Sequence, residues 1–439
     1  MHSKISEQNG LDFADVTILP GAGRTTLDAL STKTRIGERF HLNIPLISSP
    51  RDMVTEGQMA VAMARAGGLG VIHQNMPVGR QVEEVRKVKR AEAKIIEKPI
   101  VVSPETPLAE AADLMRNFSI SGLPVVDAAG KAVGILSNRD VRFASENDIF
   151  QPVSERMSHE NLITVKGDIS PEDAKRKMYQ NRVEKLIVTD QEGKLTGLLT
   201  VKDLENMTRN QEASRDHKGR LKVGAAVGVG RDGYNRAQAL ADAEVDIVVV
   251  DVPNAHHQDA LDVVNKISQL QSAKIKVIAG NVLTGEGALA LINNGAQAIK
   301  VGSRGRVAGT DVPLLSAVLD VVDACSQTAT PVIVDGGLMS AAEIVKAIAA
   351  GADAVMLDHL LAGADEAPGD IIFDEGHMYK LTPNTKDFAG HRASYKGRTD
   401  IVLNHLMSGL RQAMVETGSE NIEALKFATK LMARNGSNG

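Results

Sequence analysis

Residues 245–252 read VDIVVVDV. Four consecutive β-branched residues sit between aspartates, too few for a core helix and with no polar residue alternating among them. That is the pattern of a parallel strand covered on both faces. Seven further stretches share it: PLISS (45–49), GLGVIH (68–73), VGAAVG (223–228), KVIAGNV (276–282), AIKVG (298–302), PVIVDGG (331–337) and AVMLDH (354–359). Amphipathic runs separate them, among them EGQMAVAMARAG, NRAQALADAE, GEGALALINNG and SAAEIVKAIAAG. Several close on glycine, the favoured left-handed helix stop. Eight β-then-α units predict an α/β chain, a closed (β/α)8 TIM barrel rather than an open doubly wound sheet.

About 150 residues part the second strand from the third, far beyond an ordinary loop. They hold an internal repeat. GKAVGILSNRDV (130–141) matches GKLTGLLTVKDL (193–204), and ISGLPVVD (120–127) matches VEKLIVTD (183–190), at a constant offset of 63 residues. Two such copies predict a pseudo-two-fold α+β pair sharing one core. Each copy reads as helix, strand, turn, strand, then a helix opened by Ser/Thr-x-x-Asp. The expected layout is 1–91 first part of the barrel, 92–149 first motif, 150–209 second motif, and 210–439 the remaining barrel.

Composition narrows the function. A net charge of −5 argues against a nucleic-acid binder, and the absence of Trp with 3% aromatics argues against base-stacking surfaces. No apolar run is long enough for a membrane span and the N-terminus lacks a signal-peptide core, so a cytoplasmic location is expected. One cysteine excludes an internal disulfide framework.

This layout resembles the IMP dehydrogenase / GMP reductase family, in which a barrel carries an inserted pair of cystathionine-β-synthase (CBS) motifs. The carriers are LDFADVTILP (11–20), NIPLISSPRDMVTE (43–56), GGLGVIHQNM (67–76), the repeat, GRLKVGAAVG (219–228), VIAGNV (277–282), VIVDGG (332–337) and AVMLDHLLAGADEAPG (354–369). The resemblance implies barrel ligand contacts at Ser48, Asp251, Asn281, Asp335, Gly336 and Gly337, with Asp335 on ribose hydroxyls and the glycines opening backbone N–H groups to phosphate. Asp-Gly-Gly also makes a plain strand-end turn. In the repeat it implies an adenine nucleotide, ATP or ADP, at Ser137, Asp140, Thr200 and Asp203, although the same residue types favour helix caps.

The chain departs from the family where its chemistry lies. The family's cysteine nucleophile belongs in KVGSRGRVAG (300–309), yet loop 303–306 reads Ser-Arg-Gly-Arg. The sole thiol, Cys325, falls in the helix-period run LLSAVLDVVDACS and reads as a packed residue. The phosphate-holding pair after the eighth strand becomes Asp358-His359, Arg51 replaces an apolar residue, and the flap between the eighth strand and YKG shrinks to EGHMYKLTPNTKDFAGHRASYKG (375–397). The five polar residues Asp251, His256, His257, Asp358 and His359 match no metal motif, so no metal is expected.

The sequence therefore predicts a catalytically degenerate barrel, a pseudoenzyme. Its CBS modules would sense adenine nucleotides in a regulatory or scaffolding role in purine nucleotide metabolism. NAD is doubtful on this reading, no catalytic residue is assigned, and an active IMP dehydrogenase paralogue is a possible partner of a homo-tetramer or octamer. The alternative is an active purine nucleotide oxidoreductase, of IMP dehydrogenase or GMP reductase type, with a rebuilt active site.

Overall fold

All eight apolar runs become strands of one closed, parallel barrel. They are β1 (Leu46–Ser48), β2 (Leu69–Ile72), β3 (Gly224–Val227), β4 (Ile247–Asp251), β5 (Lys276–Val282), β6 (Ala298–Val301), β7 (Val332–Asp335) and β8 (Ala354–Leu357). A computed structural model describes residues 10–434, apart from 24, 93–94, 98, 119, 143–147, 161, 168, 271–274, 303–311 and 383–390. The ring closes where β8 pairs with β1, Leu357 opposite Ser48.

Alternation along each strand sets the barrel interior. Ile47, Leu69, Val71, Ala226, Ile247, Val249, Ile278, Ala298, Ile333, Ala354 and Met356 fill it. A hairpin, Thr34–Gly37 with Phe40–Leu42, adds Ile36, Phe40 and Leu42 to the same core. Thr34 donates to the main-chain oxygen of Asp353, just before β8, so the hairpin plugs the N-terminal end, here called the base.

Two aspartates fasten that base by one device. Asp246 precedes β4 and accepts from the backbone N–H of Val223 at 2.7 Å; Asp353 precedes β8 and accepts from Val332 N–H at 2.8 Å. A lysine neutralises each, Lys89 for Asp246 and Lys426 for Asp353, both at 2.7 Å. Burial nevertheless pushes both carboxyls above the usual carboxylate range.

The chain divides into two compact units. One comprises residues 1–89, 212–217 and 221–439, and the other 90–211 and 218–220. In the second unit each copy of the repeat forms a helix (Leu108–Asn117; Pro171–Asn181), a hairpin (Gly122–Val126 with Ala132–Ser137; Lys185–Thr189 with Leu195–Thr200) and a following helix. The two hairpin turns meet, Lys131 against Lys194. The expected shared core is corrected here. Leu108, Met115, Leu123 and Leu136 close one buried cluster, and Ala174, Met178, Leu186 and Leu199 close a separate one. Each helix covers its own hairpin, so each copy buries its own apolar face.

Candidate functional site

One step of two residues beyond the apolar layers brings each strand to its C-terminal end, the mouth of the barrel. The residues reached are His73 after β2, Asp251 on β4, Lys300 on β6, Asp335 on β7 and Asp358 after β8. Five titratable groups thus replace hydrocarbon at the end of the fold where barrels keep their chemistry.

Lys300 organises this layer. Its side chain is 0% exposed, and its ammonium reaches Asp251 Oδ1 at 2.7 Å and Asp335 Oδ2 at 2.6 Å. It also donates to Asn281 Oδ1. Pairing between β5 and β6 slips between Gly280 and Val282, and this irregularity lets Asn281 reach the lysine. A buried ammonium is tolerated when carboxylates surround it and hydrogen bonds satisfy its protons. Three of the expected ligand residues, Asp251, Asn281 and Asp335, therefore converge on a lysine that the sequence reading passed over as part of a strand.

Gly336 and Gly337 follow with φ of 86° and 71°, a left-handed pair that side chains rarely adopt. A Cβ on Gly336 would meet nothing within 4 Å among the described residues. Ser48 is placed differently from expectation. It is buried, and its hydroxyl accepts from Thr55 Oγ1 at 2.8 Å.

Arg51 and Asp358, read from the sequence as two separate departures, form a single ion pair at 2.9 Å across the β8–β1 seam. Arg51 supplies a compensating charge; Arg304 and Arg306 lie outside the described residues. Asp358 is 7% exposed, and its other oxygen, Oδ1, has no hydrogen-bond partner among the described residues. Nearby, buried His73 accepts from Asn75 N–H through Nδ1, and its Nε2 stands 3.5 Å from Glu56 Oε1. That ring, ahead of Arg80, holds the Glu56 carboxyl below its usual range.

Cys325 lies at the barrel's base, on the helix Leu314–Ser326, beside a cavity of about 710 Å³ that Asp353 and Lys426 also line. It is 1% exposed, and burial pushes its thiol up to about 12. It supplies no nucleophile. Loop 303–306 lies outside the described residues. The short flap segment supplies two strands (His377–Thr382, His391–Ser394) of an antiparallel sheet that the preceding Asp370–Asp374 completes, with Arg392 paired to Asp374; 383–390 are not described. His256 and His257 are exposed, and the described residues contain no group of three or more His, Cys, Asp or Glu able to hold a metal.

In the second unit a cavity of about 1060 Å³ opens between the two copies of the repeat. Ser137, Arg139, Arg142, Arg182 and Lys185 line it. Of the four residues expected to hold nucleotide, only Ser137 borders this cavity. Asp140 accepts from the backbone N–H and the hydroxyl of Ser137, both at 2.7 Å. Thr200 and Asp203 also bond each other, and Asp203 is buried with its carboxyl pushed up by desolvation. Both pairs thus make cap-type bonds at the start of the helix that follows.

A family model described as the IMP dehydrogenase / GMP reductase domain matches residues 10–384. The chain is 40% identical to inosine-5'-monophosphate dehydrogenase of Aquifex aeolicus, over 98% of this chain and 94% of that protein. It is 43% identical to the Rhizobium tropici enzyme of that name, over 95% and 91%. Among solved structures, a Cys-to-Ala variant of Trypanosoma brucei GMP reductase in complex with guanosine 5'-monophosphate superposes with a TM-score of 0.90. Identity there is 32%, over the whole of both chains. These findings overturn the degenerate-barrel expectation: relatives matching nearly end to end are named as enzymes. The chain's departures are local, and two of them, Arg51 and Asp358, compensate each other.

Proposed function

The chain belongs to the IMP dehydrogenase / GMP reductase family, and on that premise we propose that it is an active purine nucleotide oxidoreductase with a rebuilt active site. The observation that carries this reading is the Lys300 cluster. Asp251, Asn281 and Asp335 are gathered at the mouth by a fully buried cation, an arrangement with a desolvation cost that packing alone does not call for. Asp335 and the left-handed backbone of Gly336 and Gly337 suit a ribose and its neighbouring oxygens.

A nicotinamide dinucleotide, NAD or NADP, would take or supply the hydride. The chain's own residues bind and orient the purine nucleoside part beneath it. Cys325 is held at the opposite end of the barrel, so the reaction runs without a thiol adduct. In the oxidative direction water adds to C2 as hydride leaves, and a base takes the water's proton.

The test is the absorbance of reduced nicotinamide with IMP plus NAD and with GMP plus NADPH, at millimolar substrate. Turnover on the order of 1 s⁻¹ or above is expected with one pair. No signal above background with either pair, from protein that melts cooperatively, would sink the reading.

The second unit is proposed as a CBS pair that binds ATP or ADP. The cavity between its copies supports this, because Arg139, Arg142, Arg182 and Lys185 give a polyphosphate four cations. A cytoplasmic homo-tetramer or octamer completes the proposal.

A further inference from the structure

The cavity at the base of the barrel takes no part in the site at the mouth. Its volume of about 710 Å³ is that of a small-molecule pocket. Three parts of the barrel unit wall it: the plugging hairpin, the end of the helix Leu314–Ser326 with the loop into β7, and the helix Ile422–Ala428. The charges on these walls do not balance. Both lining carboxylates lie against Lys426, Asp353 at 2.7 Å and Glu423 at 4.0 Å. Lys33 and Arg35, which line the cavity from the hairpin, are the surplus.

Alternation along the hairpin sets their direction. Thr34 and Ile36 are buried, so Arg35 turns away from the barrel core, and His41 stands opposite it in the pair. Arg35 donates through Nη2 to the carbonyl oxygen of Ala329 at 2.7 Å. That bond holds the guanidinium on the cavity wall and leaves its other N–H groups to serve an anion. Apolar surface accompanies the charge. Val322, Val332, Ala350 and Ile422 line the cavity, and Phe427 joins them while 78% exposed, a ring with a face to stack on. Ser326, Thr330 and Asn421 add hydroxyl and amide groups. Two surplus cations match the charge of a phosphate monoester, about −1.5 to −2 near neutral pH. The exposed ring suits a flat base, and the hydroxyl and amide groups suit a sugar.

We propose that the base cavity binds a nucleoside monophosphate, its phosphate on Lys33 and Arg35 and its base against Phe427. The site lies at the opposite end of the barrel from the Lys300 cluster, and it stands independently of the oxidoreductase reading.

Calorimetry on the full-length protein tests it with two probes, phenyl phosphate and inorganic phosphate. Phenyl phosphate offers ring and phosphate without a sugar or a purine. The side chains of Lys33, Arg35 and Phe427 are exposed, so their variants should fold. Lys33→Gln and Arg35→Gln should each weaken phenyl phosphate about threefold, and together about tenfold. Phe427→Ala should weaken it about threefold and leave inorganic phosphate unchanged. Asp335→Asn at the mouth and Arg182→Gln in the second unit should alter neither probe. AMP should displace phenyl phosphate from the wild type. No heat with phenyl phosphate, affinity unchanged in the base variants, affinity lost in the Asp335 or Arg182 variant instead, or a probe that AMP fails to displace would overturn the proposal.

Discussion

The two ends of the barrel use the same ingredients, buried lysines and aspartates, to opposite effect. At the base, Asp353 gives one oxygen to Lys426 and the other to the backbone of Val332. Asp246 accepts from both Lys89 and Val223 N–H through a single oxygen, Oδ2. Each carboxylate ties its own strand start to a neighbouring one through a backbone N–H and to a helix through its lysine. At the mouth, Lys300 gathers Asp251 and Asp335, and Arg51 holds Asp358, so three carboxylates answer two cations. Base carboxylates are tied to neighbouring strand starts, whereas at the mouth one oxygen, Asp358 Oδ1, has no hydrogen-bond partner among the described residues. The difference teaches how to read buried charge: a carboxylate that accepts the backbone N–H of a neighbouring strand start is a fastener, and one held by a single cation, with an oxygen unpartnered among the described residues, fastens nothing further.

The sharpest way to break this contrast is Lys300→Met. It strands two carboxylates in a buried layer, and removing one partner of a buried pair typically costs about 3–5 kcal/mol. Chemical denaturation should show a loss of that size, together with loss of ligand binding. A loss below about 1 kcal/mol would mean that the cluster relaxes into solvent and organises nothing.

Asp353→Ala should cost less, about 1–3 kcal/mol, by leaving the Val332 N–H and Lys426 without their acceptor. If the base is only a fastener, KM and kcat of the folded variant stay within about twofold of wild type. A clear change in either would erase the distinction between the two ends.

The ends also answer pH with opposite sign. Burial raises the Asp353 carboxyl in the folded state. The stability it contributes is fully present below the unfolded value of 3.8 and is lost as pH rises through the raised folded value. Glu56, at the mouth, is lowered by His73. Its contribution is present above 4.5 and is lost as pH falls through the lowered folded value. Melting temperatures between about pH 3 and 7 should therefore change slope differently in Asp353→Asn and Glu56→Gln. Identical profiles for the two variants would show that the charges of both ends are equally solvated.

Much of this architecture was legible in the chain. The strands announced themselves because parallel strands covered on both faces carry unbroken apolar runs. Even the repeat could be placed from its 63-residue offset. What stayed hidden depends on partners remote in sequence. Lys300 sits in plain view in AIKVG, yet its role needed the two-residue period extended across β4, β6 and β7, so that it falls level with Asp251 and Asp335. Arg51 and Asp358 lie 307 residues apart, and only the β8–β1 closure brings them together. Read singly, each looked like damage to a site, and with the missing cysteine and the short flap they led to the degenerate-barrel expectation. Ser137 and Asp140 illustrate a pattern open to two readings. Their spacing was read towards a ligand, but a Ser-x-x-Asp at a helix start satisfies itself first.

The smallest effect is expected at Cys325, and it bears on the comparison most directly. The chain has one thiol, and hydride chemistry in this family would ordinarily be sought near it. Its place at the base, on a helix packed outside the barrel, removes it from the mouth by the full length of the strands. Its 1% exposure and a thiol pushed up to about 12 leave almost no thiolate at neutral pH. Cys325→Ala deletes one buried sulfur and should cost about 1 kcal/mol or less, comparable to trimming a methyl group. Turnover should be unchanged, and iodoacetamide at pH 7.5 should leave native protein active while labelling the unfolded chain. Rapid inactivation of native protein with one equivalent of label, or loss of turnover in a fully folded Cys325→Ala, would place chemistry at the base and dissolve the division between its two ends.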